Sequence, residues 1–247
     1  MDYDDSFFSA PVRYAVDELE SDEELQADTQ EKTIHTDLTC SPVDTNLTLI
    51  FGPAGPGNVY IDSLDKKPTK IGTVTCTAQD KQETKANILQ MSGQPIIFIS
   101  FSKVIDAEDT VQYTRSILNQ FKNKISKIIV LDSFASENDL TPPTIRVLQS
   151  SSSPVIKGLT LYEIPHMITG LPAAIVNYCE IHSIPCFDLL TLQEYVYGKL
   201  LVTEDTLIAY NQGLSQLDLN LQFDSQLLQQ VLNHHGRIND NHHRLYI

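Results

Sequence analysis

Two apolar stretches decide the fold class: PIIFISF at residues 95–101 and KIIVLD at residues 127–132. Both are continuous rather than alternating, and β-branched and aromatic residues dominate them, which is typical of strands buried on both faces of a sheet. Between them, residues 106–123 carry apolar side chains at a loose helical spacing, from Val111 to Phe121. Strand, helix and strand in this order predict a parallel βαβ unit.

The flanking sequence extends this pattern in both directions. The stretch LTLIF at residues 47–51 predicts a short strand that stops at the Gly- and Pro-rich turn 52–57. GLTLYEI at residues 158–164 predicts a further strand, Pro172 suits the first turn of a helix, and IPCFDLL at residues 184–190 begins the next strand. We therefore expect a second βαβ unit. The predicted fold is a three-layer α/β domain with a mostly parallel sheet flanked by helices.

The region between the two predicted units resembles a loop. Residues 133–154 contain the pair Pro142-Pro143 and four consecutive serines at 150–153, which favour a surface loop. Such a loop would separate the first βαβ unit from the second.

The last fifty residues predict two helices rich in glutamine, one over roughly 203–213 and one over roughly 224–234. Asp224 is a suitable N-cap for the second helix, and Gly236 is a suitable stop. We expect a flexible tail to begin at residue 236.

Charge is distributed unevenly along the chain. Residues 1–40 hold twelve Asp and Glu residues against two basic residues, a balance of −10, so the remaining residues carry −5 of the total of −15. The acidic segment has too little apolar surface to offset the entropy of ordering. We predict a disordered acidic leader over residues 1–40, an α/β domain over residues 41–235, and a flexible tail over residues 236–247.

Composition excludes several functional classes. The chain lacks a run of eighteen apolar residues, which disfavours direct insertion into a membrane. Its acidic start, Met1 to Asp5, is unlike a secretory signal, so we expect a cytoplasmic protein that also occurs in the nucleus. No basic stripe is present to neutralise phosphates, which argues against nucleic acid as a partner.

Metal and cofactor sites are not expected either. The four cysteines form no C-x-x-C pair and are predicted to be free thiols, mostly buried in the core. The histidine pairs at 234–235 and 242–243 lack thiolate or carboxylate partners at zinc-site spacing. We predict no cofactor and no metal.

Signals for catalysis are weak. The turn at 52–57 lacks the Gly-Lys-Ser/Thr ending of a phosphate loop, and its prolines cannot donate an N–H to phosphate. Asp132 and Ser133 follow a predicted strand, where α/β proteins place ligands, and His166 precedes a predicted helix. An Asp/Ser/His site could be built from these three residues, but no Gly-x-Ser-x-Gly motif is present to expose a nucleophile.

The C-terminal tripeptide is the most informative local feature. Leu245, Tyr246 and Ile247 have the form hydrophobic, tyrosine, any residue, followed by the terminal carboxylate. Such a segment can bury apolar area, place one hydroxyl, and pair its carboxylate with a lysine at the base of a pocket. We predict that these three residues dock onto a partner protein.

A longer stretch carries a resemblance to a known family. ITGLPAAIVNYCEIHSIP at residues 168–185 resembles the most recognisable segment of the proteasome assembly chaperone 1 family, in which a Leu-Pro-Ala-Ala helix start precedes a Tyr-Cys pair and an Ile-Pro. An acidic leader and a tyrosine near the carboxyl end are also typical of that family. Residues 133–157 have no counterpart that we can assign.

The resemblance implies an α/β fold and a chaperone that is not an enzyme. It also implies a heterodimer with a second assembly chaperone, bound to the ring of proteasome α-type subunits, which supports assembly of the core particle and prevents unproductive ring association. Family tails of the hydrophobic-Tyr-X form dock between adjacent α subunits, and Leu245, Tyr246 and Ile247 match that motif. The helix over residues 171–182 is assigned to core packing rather than to contact.

Two alternatives remain open at this stage. One is an α/β enzyme or small-ligand binder on a nucleoside-phosphorylase-like scaffold, with its site near Asp132 and His166. The other is an adaptor that binds its partner through the acidic leader.

Overall fold

The structure is a computed structural model that describes residues 32–40, 45–78, 81–135, 140–141, 143–196 and 199–239. All of these residues belong to one unit of the chain, Lys32–Ile247. The elements in chain order are β1 (Thr33–Leu38), β2 (Leu47–Gly52), α1 (Pro56–Asp62), β3 (Thr69–Ala78), β4 (Lys81–Gln90), β5 (Ile96–Phe101), α2 (Thr110–Gln120), β6 (Ile125–Ala135), β7 (Ile145–Gln149), β8 (Thr160–Leu161), α3 (Gly170–Ile181), β9 (Cys186–Val196), β10 (Lys199–Leu201), α4 (Glu204–Ser215) and α5 (Ser225–Asn239).

Four parallel strands form the centre of the sheet, in the order β5, β2, β6, β9. Every residue of β2 and of β5 is buried, as the continuous apolar runs predict. The predicted unit of strand, helix and strand is confirmed as β5, α2 and β6, and β2 lies between its two strands. The expected α/β fold class is confirmed.

Antiparallel strands extend the sheet on both margins. On one side β5 pairs with β4, β4 with β3, and β3 with β1; on the other side β9 pairs with both β7 and β10. The β3–β4 hairpin was not among the predicted elements. The prediction of a disordered leader is wrong for residues 33–38, because these residues form β1. Pairing with β3 supplies the backbone hydrogen bonds that an isolated acidic segment lacks. Residues 1–31 lie outside the described part of the chain.

Helices cover both faces of the sheet and complete the three layers. On one face, which we call the α2–α3 side, Leu49, Phe101 and Ile117 belong to one buried cluster. On the other face, the α1–α4 side, Tyr60 of α1 and Tyr210 of α4 pack edge to face with their ring centroids 5.5 Å apart. Burial of each such side chain stabilises the fold by roughly 1.5–3 kcal/mol.

The second predicted βαβ unit is wrong. The strand expected at 158–164 is reduced to Thr160–Leu161, and both residues are exposed at the edge of the sheet. β8 pairs with β7, while β9 lies between β6 and β7, so β8 and β9 are not neighbours. The parallel connection that enters β9 instead comes from β6 and passes through β7, β8 and α3.

The surface loop expected at 133–154 is also partly wrong. β6 continues to Ala135, and β7 packs on β9 with Val147 buried. The serine run is tied to the beginning of β9: the backbone N–H of Cys186 donates to Ser150 Oγ at 3.0 Å and to Ser153 Oγ at 2.9 Å. These hydroxyls satisfy backbone groups that would otherwise be buried without partners.

The two C-terminal helices are confirmed, with one difference in length. Thr203 caps α4 through a reciprocal bond with Thr206, and the N–H of Gln226 donates to Asp224 Oδ1 at 2.7 Å, so Asp224 caps α5 as predicted. The stop at Gly236 is wrong because α5 continues to Asn239. A single glycine costs a helix only about 1 kcal/mol, which neighbouring helix formers can offset.

Candidate functional site

The predicted docking residues Leu245, Tyr246 and Ile247 lie outside the described residues. The last described element before them is α5. Helix α5 is held firmly on the α1–α4 side. The N–H of Asp224 donates to the carbonyl of Ser63 at 2.8 Å, and Leu228 is buried in the core. The tail therefore leaves from a helix that is fixed to the domain.

A cavity of about 420 Å³ opens at the carboxyl end of the parallel strands. It lies between the segments that follow β2 and β5, the last residues of β6 and the beginning of α3, which is where open α/β sheets place ligands. Its lining residues are Pro53, Ala54, Phe101, Lys103, Val104, Ile105, Asp132, Ser133, Phe134, Ala135, Tyr162, Met167, Ile168, Thr169, Gly170, Leu171, Pro172 and Leu190.

Two carboxyl groups lie close together at this end of the sheet, Asp132 and Asp188, which we call the acidic pair; Asp132 is a lining residue of the cavity, and Asp188 lies behind it. Asp132 lines the cavity and is paired in register with Leu190, while Asp188 is paired with Val130, one step deeper along the strands. Residues that alternate along a strand share a face, so both carboxyl groups lie on the α2–α3 side. Asp188 is completely buried, and within the described structure neither of its carboxylate oxygens has a hydrogen-bond partner.

Burial sets the protonation of the acidic pair. It raises the pKa of Asp132 to about 6, and the backbone N–H of Ser133 opposes part of that increase. Burial also raises the pKa of Asp188 well above its usual range, and the nearby Asp132 carboxylate raises it further. The two groups therefore titrate as a coupled pair that retains a proton where an exposed aspartate would have lost it.

Two tyrosines surround the acidic pair. The Tyr210 hydroxyl donates to the backbone carbonyl of Asp132 at 2.6 Å, and burial raises the pKa of Tyr210 well above its ordinary value. Tyr162 lines the cavity, and burial raises its pKa, with Asp132 and Asp188 as further causes. Both phenols therefore remain protonated at neutral pH, as neutral neighbours of the carboxyl groups.

The structure does not assemble Asp132, Ser133 and His166 as a nucleophile, base and orienting group. The Ser133 hydroxyl donates to the Gln193 side-chain oxygen at 2.9 Å, so its proton is directed to an amide rather than to a base. His166 is exposed and stacks on Tyr162 with the ring centroids 5.2 Å apart. Asp132 and Ser133 line the cavity, whereas His166 is not among its lining residues.

The glycine-rich turn at 52–57 is a tight packing turn, as predicted. α1 begins at Pro56, and Gly57 lies so close to β6 that a Cβ there would be 2.3 Å from the carbonyl oxygen of Leu131. Only glycine fits such an approach of helix to strand. The turn therefore serves helix packing.

The helix that carries the family resemblance is also a packing element, as expected. Leu171, Ile175 and Cys179 of α3 are buried in the core of the α2–α3 side. Three of the four cysteines are buried free thiols, and the fourth, Cys40, is exposed. The prediction that free cysteines mostly fill the core is confirmed.

The residue that the sequence predictions missed is Asp188. A single acidic residue inside the apolar stretch IPCFDLL was a signal that could have identified it, because a charge in a buried strand requires a reason. Tyr162 and Gln193 were missed as well, since their roles depend on contacts between distant segments.

Comparison with known protein families now assigns the chain to a class. The family model PAC1, which is described as proteasome assembly chaperone 4, matches residues 69–247. The chain therefore belongs to this proteasome assembly chaperone family. The match supports the family expected from the resemblance but not chaperone 1 in particular. No curated protein sequence matches the chain.

Solved structures share the fold at low sequence identity. Pyrococcus furiosus PbaB, an archaeal proteasome activator, is 13% identical with a TM-score of 0.62, over 86% of this chain and 98% of that one. Pyrococcus furiosus PbaA, an archaeal homolog of proteasome-assembly chaperone, is 15% identical with a TM-score of 0.57, over 86% and 96%. A Thermoplasma acidophilum protein of unknown function is 12% identical with a TM-score of 0.64, over 83% and 89%. These likenesses establish a common fold.

Among the helices of the described residues, none is both long enough and apolar enough to cross a membrane.

Proposed function

We propose that this chain promotes assembly of the proteasome core particle by binding the ring of α-type subunits, and that it does so without catalysis. The observation that carries the proposal is the family match, which runs from β3 through every later element to residue 247. The same fold in an archaeal proteasome activator and in an archaeal homolog of proteasome-assembly chaperone supports it.

The proposed contact with the ring is made by Leu245, Tyr246 and Ile247. Eight residues follow the end of α5 and can span at most roughly 28 Å when extended. That reach is enough for a terminal segment to enter a pocket on a neighbouring molecule while the domain rests on the surface outside. Leu245 and Tyr246 would bury apolar area, and the carboxylate of Ile247 would pair with a basic residue of the pocket.

The chain is further proposed to act as a heterodimer with a second, related assembly chaperone, and thereby to prevent unproductive association of rings. Exposed apolar side chains support the need for a partner: Val104 and Met167 border the same cavity and are 80% and 81% exposed, and Ile164, three residues before Met167, is 95% exposed. Large apolar surface left in water favours association. Co-expression with the second chaperone, followed by native mass spectrometry, is expected to give a 1:1 complex; a chain that remains alone would remove this part of the proposal.

The ring contact is tested with the chaperone complex and purified α-subunit rings. Removal of residues 245–247 is expected to weaken binding by about tenfold or more, because a buried aromatic residue and a charge-assisted hydrogen bond are lost together. The melting temperature should stay unchanged because the tripeptide follows α5. Adding two residues after Ile247 should weaken binding to a similar degree, since it displaces the carboxylate, whereas Asn241→Ala serves as a control in the same tail. Equal affinity of the truncated and full chains would contradict the proposal.

A further inference from the structure

The acidic pair beside the cavity is not neutralised by any basic group in the described residues. The charged neighbours are engaged elsewhere: Lys103, on the cavity wall, pairs with Glu83, and Arg146 of β7 lies with its guanidinium carbon 6.0 Å from the centre of the Phe134 ring. From α4, the Tyr210 hydroxyl donates to the Asp132 carbonyl oxygen and not to a carboxylate. Neither carboxylate is part of a salt bridge within the described chain.

An unpaired buried carboxyl group is costly, so its presence beside an open cavity points to a ligand. Asp188 is completely buried with both oxygens unpartnered, and its neighbour Asp132 faces the cavity. The ligand that complements such a base carries positive charge and N–H donors. An anion such as phosphate would be repelled by the same carboxyl groups.

The residues that line the cavity favour an organic cation over a metal ion. Asp132 contributes one carboxyl group to the lining, with Asp188 behind it, and among the described residues the grouping of three or more metal-ligating side chains lies elsewhere, at Asp106, Glu108 and Asp109. The sides of the cavity are apolar, with Phe101, Phe134 and Leu171 among the lining residues. Apolar walls above an acidic base suit an alkyl stem that ends in an ammonium group.

We propose that this cavity binds a primary alkylammonium group, the chemistry of a lysine side chain or a free polyamine, with the ammonium on Asp132, in front of the buried Asp188, and the alkyl stem along the apolar walls. Among the described residues, the lining of this site includes none from α5, the helix that precedes the tail. At about 420 Å³, the cavity has room for a stem of four carbons and its ammonium group.

Binding of the ammonium group is coupled to release of a proton. The pKa of Asp132 is raised to about 6 by burial, so the free site holds a proton in mildly acidic solution. An entering cation favours the ionised form, and the displaced proton goes to solvent. The affinity should therefore increase by about tenfold between pH 5 and pH 7, as the proton competes less well.

The experiment titrates the full chain with Nα-acetyl-lysine methylamide and, separately, with spermidine, and follows methyl NMR signals. The methyl groups of Leu171 and Leu190 report on the cavity, and those of Val155, which is outside its lining, serve as the reference. Saturable shifts at the cavity methyls alone are expected. Binding of the lysine probe alone would indicate a partner protein as the source, and binding of spermidine alone would indicate a free polyamine; each result supports the site.

Two variants and two controls make the test specific. Asp132→Asn should weaken binding by about tenfold or more, because it removes the charge-assisted hydrogen bond to the ammonium group, whereas Asp188→Asn should weaken binding less, because Asp188 lies behind Asp132 and does not line the cavity. Asp106→Asn removes the same charge on the exposed surface and should leave binding unchanged. The Nε-acetylated probe, which keeps the stem and loses the charge, should not bind. Absence of saturable shifts with both amines, or equal binding of the acetylated probe, would overturn the proposal.

Discussion

Two acidic groups of this domain differ in how their charge is compensated. At the surface, Asp106, Glu108 and Asp109 surround Lys32, whose ammonium nitrogen lies 2.8 Å from Asp109 and 3.2 Å from Glu108. Beside the cavity, Asp132 and Asp188 have no basic partner in the described residues.

The energetic consequence of this difference depends on how far each group of charges is exposed to solvent. The surface cluster is screened by water and salt, and its hydrogen bonds to Asp109 and then Glu108 raise the pKa of Lys32 above its ordinary value. In the acidic pair, Asp188 is completely buried, and an unpaired charge costs far more there. The surface group is therefore a local ion-pair network, whereas the acidic pair lowers stability and so requires a functional explanation.

The largest effect is expected from Asp188→Asn. The substitution keeps the shape and removes the ionisable group, and it should raise the free energy of unfolding at pH 7 by roughly 3 kcal/mol. Denaturant unfolding of the wild type and the variant measures the change. At pH below about 4 the difference should disappear, because the wild-type carboxyl group is then protonated in both the folded and the unfolded states. A less stable variant at pH 7 would contradict the account.

A smaller effect is expected from Asp132→Asn. It should appear as a change in how the free energy of unfolding depends on pH. The folded pKa is raised to about 6 from the usual 3.8, so the associated stability is present below pH 3.8 and lost as pH rises through 6. The wild type should lose on the order of 2 kcal/mol across this window, and the variant should lose less. Melting temperatures at half-unit steps of pH test this, and parallel profiles would refute the assignment.

The smallest effect is expected at the surface cluster. Lys32→Gln removes the central charge and should lower the melting temperature by less than either aspartate substitution changes it, because Asp106 and Glu108 are exposed to solvent and Lys32 is partly exposed. The change should shrink further in about 0.5 M salt. An effect that exceeds that of Asp188→Asn, or one that is insensitive to salt, would invalidate the comparison.

The centre of the fold could be predicted from the sequence because its strands are buried on both faces. Residues 47–51, 95–101 and 127–132 each appear as continuous apolar runs, and local composition is sufficient to identify them. The antiparallel strands at the two sides of the sheet could not be predicted in the same way. β4 has mixed burial, and its strand identity depends on pairing with β3 and β5 rather than on its own residues.

β7 and the proximity of the two acidic residues could not be predicted from the local sequence alone. The prolines and serines around β7 favour a loop, and burial of Val147 against β9 overrides that tendency. Asp132 was identified as an acidic residue at the end of a strand, but its proximity to Asp188 follows from the register between β6 and β9. Register between distant strands is set by the whole core, so the cavity could not be predicted residue by residue.

We propose that this member of the family binds proteasome α-type subunits together with a second assembly chaperone. Affinity capture from a lysate of its own cells, with the full chain as bait and quantitative mass spectrometry as the readout, tests it most directly. We expect α-type subunits and one further small chaperone to be enriched, and we expect removal of residues 245–247 to deplete the α-type subunits while the second chaperone is retained. Recovery of neither class of partner by the full chain would contradict the account.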